Sequence, residues 1–284
     1  MSADTMGTRA SIAADLRRLG VRRGGVLLVH SALSALGWVC GGPVAVVQAL
    51  LDVLGPEGTL VVPTHTPANS DPANWTNPPV PQEWWPVIRD EMPAFDPAVT
   101  PSQEMGIIAE TVRTWPGAQR SDHPHVSFAA LGPAAEKIVA AHPLAGMLGE
   151  NSPLGRVYAL DGQVLLLGVG YEANTSFHLA EYRLPDPPRQ TMGAAVRTAD
   201  GGQQWVTWTD IAVDSSDFAA LGQDFDRTGR VRTGQVAAAS CRLMRQRDAV
   251  DFALPWLLAH RRPAGSPPHP RFDHEDRSGS LTST

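Results

Sequence analysis

Apolar residues along the chain fall into two patterns, short unbroken runs and stripes of helical period. The stretches Val26-Leu27-Leu28-Val29-His30, Thr59-Leu60-Val61-Val62-Pro63 and Val164-Leu165-Leu166-Leu167-Gly168-Val169 have strand length and almost no alternation. That is the signature of strands covered on both faces. Between the first two, positions 46, 47, 50, 51 and 54 are apolar and Pro43 stands near the start, which predicts an amphipathic helix over 43–54. Strand, helix, strand in that order predicts a βαβ unit and a partly parallel sheet. Further helices are predicted at 11–19, where Ile12, Leu16 and Leu19 share a face, at 105–114 ahead of Pro116, at 134–141, and over a last block from 237 to 260. Residues 128–132 predict another strand. Segments 194–198 and 204–209 alternate around Gly201-Gly202 and predict a small antiparallel section towards the C-terminus. The expected fold class is α/β, with a mixed, partly parallel central sheet flanked by helices.

Residues 64–101 break both patterns. Proline recurs at 67, 72, 78, 79, 81, 86, 93, 97 and 101, with Trp75, Trp84 and Trp85 among them. The segment is expected to be a long irregular excursion. Its tryptophans argue against disorder, which is poor in aromatics, and favour a flap covering a substrate. Residues 1–262 are expected to form one domain, and the Pro-, Ser- and charge-rich stretch 263–284 a mobile polar tail.

Composition narrows the function more than the fold. A hydrophobic content of 43% and a charged content of 18% suit a soluble protein with a substantial core. The formal net charge of −6 argues against a nucleic-acid partner, which would call for a basic surface. Two cysteines, Cys40 and Cys241, make no disulfide framework, so a cytoplasmic location is expected. No signal-peptide pattern and no apolar run near twenty residues is present, so membrane insertion is not expected. Monomer and homodimer both remain open.

The chemistry centres on Asn174-Thr175-Ser176-Phe177-His178-Leu179-Ala180-Glu181, just past the third apolar run. A glycine-rich exit followed by Asn-Thr-Ser marks a helix start, so His178 is expected in the first turn of a helix at the end of a core strand. His178 and Glu181 stand at i, i+3 and share a helix face. Three readings of the pair are open: a general base with an orienting carboxylate, half of a metal site, or a structural charge pair with Arg183 nearby. The metal reading lacks the second spaced histidine of the H-E-x-x-H pattern. His123 and His125, in Arg120-Ser121-Asp122-His123-Pro124-His125-Val126-Ser127, would point apart on a strand, and no third ligand is near, so a polar loop lining a cleft is expected there. The loop 30–42 is rich in glycine and hydroxyls and stands before a helix, where backbone N–H groups can meet phosphate oxygens. It has neither a Walker nor a dinucleotide spacing, and G-x-S-x-G is absent from the chain.

Six segments in order carry a resemblance. They are Val29-His30-Ser31-Ala32-Leu33-Ser34-Ala35-Leu36-Gly37 with Gly41-Gly42, Pro63-Thr64-His65-Thr66, Met105-Gly106, Arg120-Ser121-Asp122-His123-Pro124, Ser152-Pro153-Leu154-Gly155 and the 174–181 segment. Together they resemble the aminoglycoside 3-N-acetyltransferase family, over about residues 11–260. The resemblance implies a fold distinct from the common GNAT acetyltransferase fold and a reaction that moves acetyl from acetyl-coenzyme A to the 3-amino group of the deoxystreptamine ring, by direct attack. It implies that the loop 30–42 takes the coenzyme, with His30, Ser31, Ser34, Leu36, Gly37 and Val39 as contacts and Ser121 as a further one. His178 becomes the base, since an imidazole with an ordinary pKa of about 6.5 accepts an amine proton near neutral pH. Thr175 or a loop N–H would serve the developing oxyanion. A cationic acceptor calls for carboxylates, and Asp71, Glu104, Glu110, Glu181 and Asp224 are the candidates. Either Glu181 or Asp224 would orient His178. No metal is implied. The alternatives are an acetyltransferase for another amine-bearing antibiotic or metabolite, a hydrolase or metal-dependent enzyme, and a non-catalytic aminoglycoside-binding protein.

Overall fold

The computed structural model describes residues 6–76 and 78–261, so the stretch expected to be a polar tail lies outside the described residues. In chain order the elements are α1 (Arg9–Leu19), β1 (Val26–Ser31), α2 (Gly42–Leu54), β2 (Thr59–Pro63), α3 (Trp85–Glu91), α4 (Gly106–Arg113), β3 (Gln119–Arg120), β4 (Phe128–Leu131), α5 (Ala135–Val139), α6 (Pro153–Ala159), β5 (Gln163–Leu167), α7 (Ser176–Glu181), β6 (Arg189–Arg197), β7 (Gln203–Ile211), α8 (Phe218–Asp226), β8 (Arg232–Val236), β9 (Ala239–Arg245) and α9 (Gln246–His260). Seven strands form one sheet in the order β3-β4-β2-β1-β5-β9-β8, and β6 pairs with β7 in a separate hairpin. The centre, β2-β1-β5, is parallel, and β4 and β9 add antiparallel pairs on its two sides. The sheet is therefore mixed.

Strand alternation divides the core into two layers. Leu27, Val29, Leu60, Val62, Leu165 and Leu167 meet α1, α2 and α4 on one face. Val26, Leu28, Val61, Val164 and Leu166 meet α5 to α9 on the other. Because β1, β2 and β5 run the same way, their C-terminal ends share one edge, where ligands collect in open α/β sheets. His30 follows the register of Leu28 and so faces the α7 layer. The motif Ser152-Pro153-Leu154-Gly155 has a packing reason: Ser152 caps α6, and a Cβ on Gly155 would stand 2.1 Å from the Glu150 carbonyl oxygen. Among the described residues no helix is long and apolar enough to cross a membrane.

Two expectations are corrected. The block 237–260 is not one helix. Ala239, Cys241 and Leu243 are buried while Ser240 and Arg242 face outward, and this period of two places β9 between β5 and β8 before α9 begins. Arginine, methionine and glutamine side chains, good helix formers, masked the alternation. The excursion 64–101 is not wholly irregular either. It holds three short 3-10 turns and α3, with Pro67, Pro72 and Pro86 in first-turn positions where no N–H is needed. It is tied to the hairpin through Phe95 N–H to the Ala195 carbonyl and an Asp96–Arg197 ion pair.

Candidate active site

A cleft sits at the C-terminal edge of β1, β2 and β5, where small-molecule sites collect in sheets of this kind. His30 and Ser31 enter it from the end of β1, His65 from the residues after β2, Glu104 and Met105 from the approach to α4, and Glu172, Thr175 and His178 from the segment after β5. The cleft shares Val169, Glu172 and Ala173 with a groove lined by Ala35, Gly168, Ser240 and Arg242. On the other side it shares Glu104 with a groove under the Trp75 arm, lined by Asn74 and Gln103. His178 therefore stands where two grooves meet. Gly168, at φ +73°, makes the first groove possible, since a Cβ there would lie 2.4 Å from the Ala35 Cβ.

His178 is the third residue of α7, a helix that buries Phe177, Leu179, Ala180 and Glu181 and leaves the imidazole partly open. Thr175 is the N-cap residue of α7 but its side chain caps nothing; Asn174 Oδ1 instead accepts the Ser176 N–H at 3.2 Å. The Thr175 hydroxyl is thereby left for the cleft, 3.3 Å from His30 Nε2. His178 Nδ1 lies 2.5 Å from Glu181 Oε2. Glu181 is 2% exposed, and its other oxygen accepts the Asp214 N–H at 3.0 Å and a hydrogen bond from Arg261. A carboxylate at Nδ1 makes that nitrogen the N–H, so Nε2 carries the lone pair. The arrangement is a buried carboxylate orienting an imidazole.

The neighbouring histidines are neutral. Burial, reinforced by His178, pushes His30 down to about 3. Burial, with His30 and His178 adding to it, does the same to His65, also to about 3. The His65 Nε2 is buried without a partner. Behind it, His123 and His142 have ring centroids 4.6 Å apart, and His125 sits 5.1 Å from Trp208. Burial lowers His142 to about 4 and also lowers His123 and His125. His123 and His125 are thus packed side chains behind the cleft and not a polar loop lining it. Among the described residues no group of His, Cys, Asp or Glu is arranged to hold a metal ion.

A stability consequence follows. Histidines whose folded-state pKa is depressed stabilise the fold above about pH 6.5, and the unfolded chain gains protons first as the pH falls. For His30, His65 and His142 the loss runs from about 6.5 down to about 3–4. Urea unfolding midpoints are expected to hold between pH 7.5 and about pH 6.5 and to drop steadily from there to pH 5. A midpoint that holds level over that range would contradict neutral burial of these rings.

Other candidate residues are placed unevenly. Ser31 lines the cleft, and Ser34 and Gly37 are exposed on the loop that borders the cleft and the groove beside Ala35. Leu36 is fully buried in the core and Val39 nearly so, so their side chains are packing residues. Ser121 is buried, its hydroxyl accepting the Phe128 N–H and bonding His142, which leaves nothing to offer a coenzyme. Asp71 caps a 3-10 turn and is forked by Arg89. Glu110 is held by Arg113 and Ser102, which outweigh its burial and bring its carboxyl down to about 2. Asp224 bonds Arg227 and the Trp256 indole and makes no hydrogen bond to His178. Of the five acids, Glu104 alone lines the cleft, on a backbone held at φ +62°. His65, Glu172 and Arg261 escaped the sequence reading. Only His65 carried a signal, inside Pro63-Thr64-His65-Thr66.

Residues 28–258 match the family model described as aminoglycoside 3-N-acetyltransferase. The chain belongs to this family. Among members of the aminoglycoside 3-N-acetyltransferase family, the SPbeta prophage-derived aminoglycoside N(3′)-acetyltransferase-like protein YokD of Bacillus subtilis (strain 168) is 44% identical over 88% of this chain and 92% of its own length. The crystal structure of YokD superposes with a TM-score of 0.88, covering 89% of this chain and 94% of that one. The binary structure of AAC-IIIb with CoASH gives 0.81 at 31% identity, covering 92% and 100%. Sisomicin-bound AAC-VIa gives 0.80 at 31% identity, covering 90% and 99%.

Proposed function

We propose that the chain transfers acetyl from acetyl-coenzyme A to the 3-amino group of the deoxystreptamine ring of aminoglycosides, by direct attack with His178 as general base. The observation that carries this is the Glu181-bound imidazole at the junction of two grooves. Two substrates that reach this cleft from the two grooves can react directly, with no covalent enzyme intermediate. The groove beside Ala35, Gly168 and Arg242, bordered by the loop with Ser31 and Ser34, suits an anionic coenzyme. The groove under Trp75 with Glu104 at its mouth suits a polycationic sugar. AAC-IIIb bound to CoASH and AAC-VIa bound to sisomicin support a coenzyme and an aminoglycoside as the two substrates.

In this reading the acceptor nitrogen attacks the thioester carbonyl carbon and gives its proton to His178 Nε2. Glu181 stabilises the imidazolium that forms. Neutral His30, donating Nε2–H to Thr175, turns the Thr175 hydroxyl hydrogen towards the carbonyl oxygen. The carbon–sulfur bond then breaks, and the imidazolium proton passes to the thiolate, a tolerable leaving group at an ordinary thiol pKa of about 8.5. Thiol release from acetyl-coenzyme A over an aminoglycoside panel, with mass analysis of the product, tests the function. The expected product carries one acetyl group on the 3-amine. Acetylation of other amines alone would assign a different acceptor, and drug binding without thiol release a non-catalytic role.

A further inference from the structure

We propose that Arg261 is a positioning residue that fixes the charge and orientation of the His178–Glu181 pair from the far end of α9. Arg261 stands just past α9, and its guanidinium joins three elements that never meet in sequence. It bonds Glu181 Oε1 in α7, forks both oxygens of Asp217 at 2.6 and 2.7 Å ahead of α8, and donates to the Asp214 carbonyl at 2.5 Å. Glu181 Oε1 is thus filled by Arg261 and the Asp214 N–H, and only Oε2 is left for the imidazole. A second route reaches the same ring. Phe218 packs against His178 with centroids 4.8 Å apart, and the Arg261 guanidinium lies over Phe218 at 5.9 Å. Arg261 therefore holds the carboxylate behind the imidazole and the aromatic wall beside it.

The charge matters as much as the contact. Glu181 is the acid on the base's own helix, Glu172 and Glu104 face His178 across the cleft, and His30 and His65 there are neutral. Asp214 and Asp217 stand on the far side, and Arg261 is the one cation bonded to Glu181 among the described residues. A fixed cation beside Glu181 offsets the cost of burying its carboxylate and weakens its pull on the imidazole. The base then releases its proton within each turnover.

The proposal rests on His178 being the base of the reaction above, and the test separates the two. Arg261→Gln and Arg261→Lys are compared with the unmodified protein in steady-state kinetics and in an NMR titration of the His178 imidazole without substrates, assigned by its loss in His178→Ala. Arg261→Gln is expected to lower kcat about 10- to 100-fold with each KM changed by less than about threefold. It is expected to move the His178 titration about one pH unit higher. Arg261→Lys restores the titration through its charge and recovers part of kcat, since it lacks the fork. An unmoved titration in Arg261→Gln, with any loss of rate matched by loss of folded protein, would overturn the proposal. An unmodified protein that acetylates no aminoglycoside would sink the function proposed above, and the titration would still decide the role of Arg261.

Discussion

Replacing His178 by alanine is expected to lower kcat by about 10³ and leave the dissociation constant for coenzyme A unchanged within about twofold. The reasons lie in what the ring touches. Its Nδ1 is committed to Glu181, and the ring packs on Phe218, so no part of it is needed to hold the sheet edge together. The groove assigned to the coenzyme is built from Ala35, Gly168, Ser240 and Arg242, which His178 does not line. On the proposed mechanism, what the variant loses is the acceptor for the amine proton. An attacking amine that keeps its proton yields a zwitterionic tetrahedral intermediate that reverts faster than it expels thiolate. His30 and His65 cannot stand in, because a ring with a pKa near 3 is too weak a base to take an amine proton at neutral pH. Isothermal titration with coenzyme A and single-turnover acetyl transfer check the two halves separately. A variant that keeps more than about a tenth of the rate would remove His178 from the chemistry. Equal loss of rate and coenzyme affinity would make it a binding residue.

How much of this was legible depends on whether a feature is local. The three apolar runs became β1, β2 and β5, because a strand buried on both faces has no choice but to be apolar throughout. His178 and Glu181 were legible as a pair because three residues on a helix share a face whatever surrounds them. The partner choice was not. Asp224 resembles the family's acid-Phe segment, yet Trp256, thirty-two positions later, takes one of its oxygens. Ser121 sits in a motif, yet its hydroxyl serves Phe128 and His142 in the interior. Arg261 was invisible for the same reason: nothing around position 261 hints that α7 ends and α8 begins beside it. A resemblance names segments, and only packing sorts them into residues that meet a ligand and residues that hold the walls.

Glu181→Gln is expected to be as damaging as losing the imidazole, with kcat lowered by about 10³–10⁴, because it reverses the tautomer without emptying the site. The glutamine amide has one acceptor and one donor end. Arg261 and the Asp214 N–H are both donors aimed at the Oε1 position, so the amide oxygen must lie there. The amide NH₂ then faces His178 Nδ1 at the position now held by Oε2, and two donors cannot share that short contact. Nδ1 becomes the acceptor, the ring proton moves to Nε2, and the nitrogen facing the cleft no longer has a lone pair for the amine proton. Glu181→Ala lacks this lock. It leaves the ring free to choose its tautomer and Arg261 still paired to Asp217, so it is expected to retain more activity than the isosteric change. Imidazole ¹⁵N shifts report the tautomer directly, and kinetics on both variants rank them. A glutamine variant that is faster than the alanine variant, or that keeps its ring proton on Nδ1, would show that Glu181 acts through charge alone.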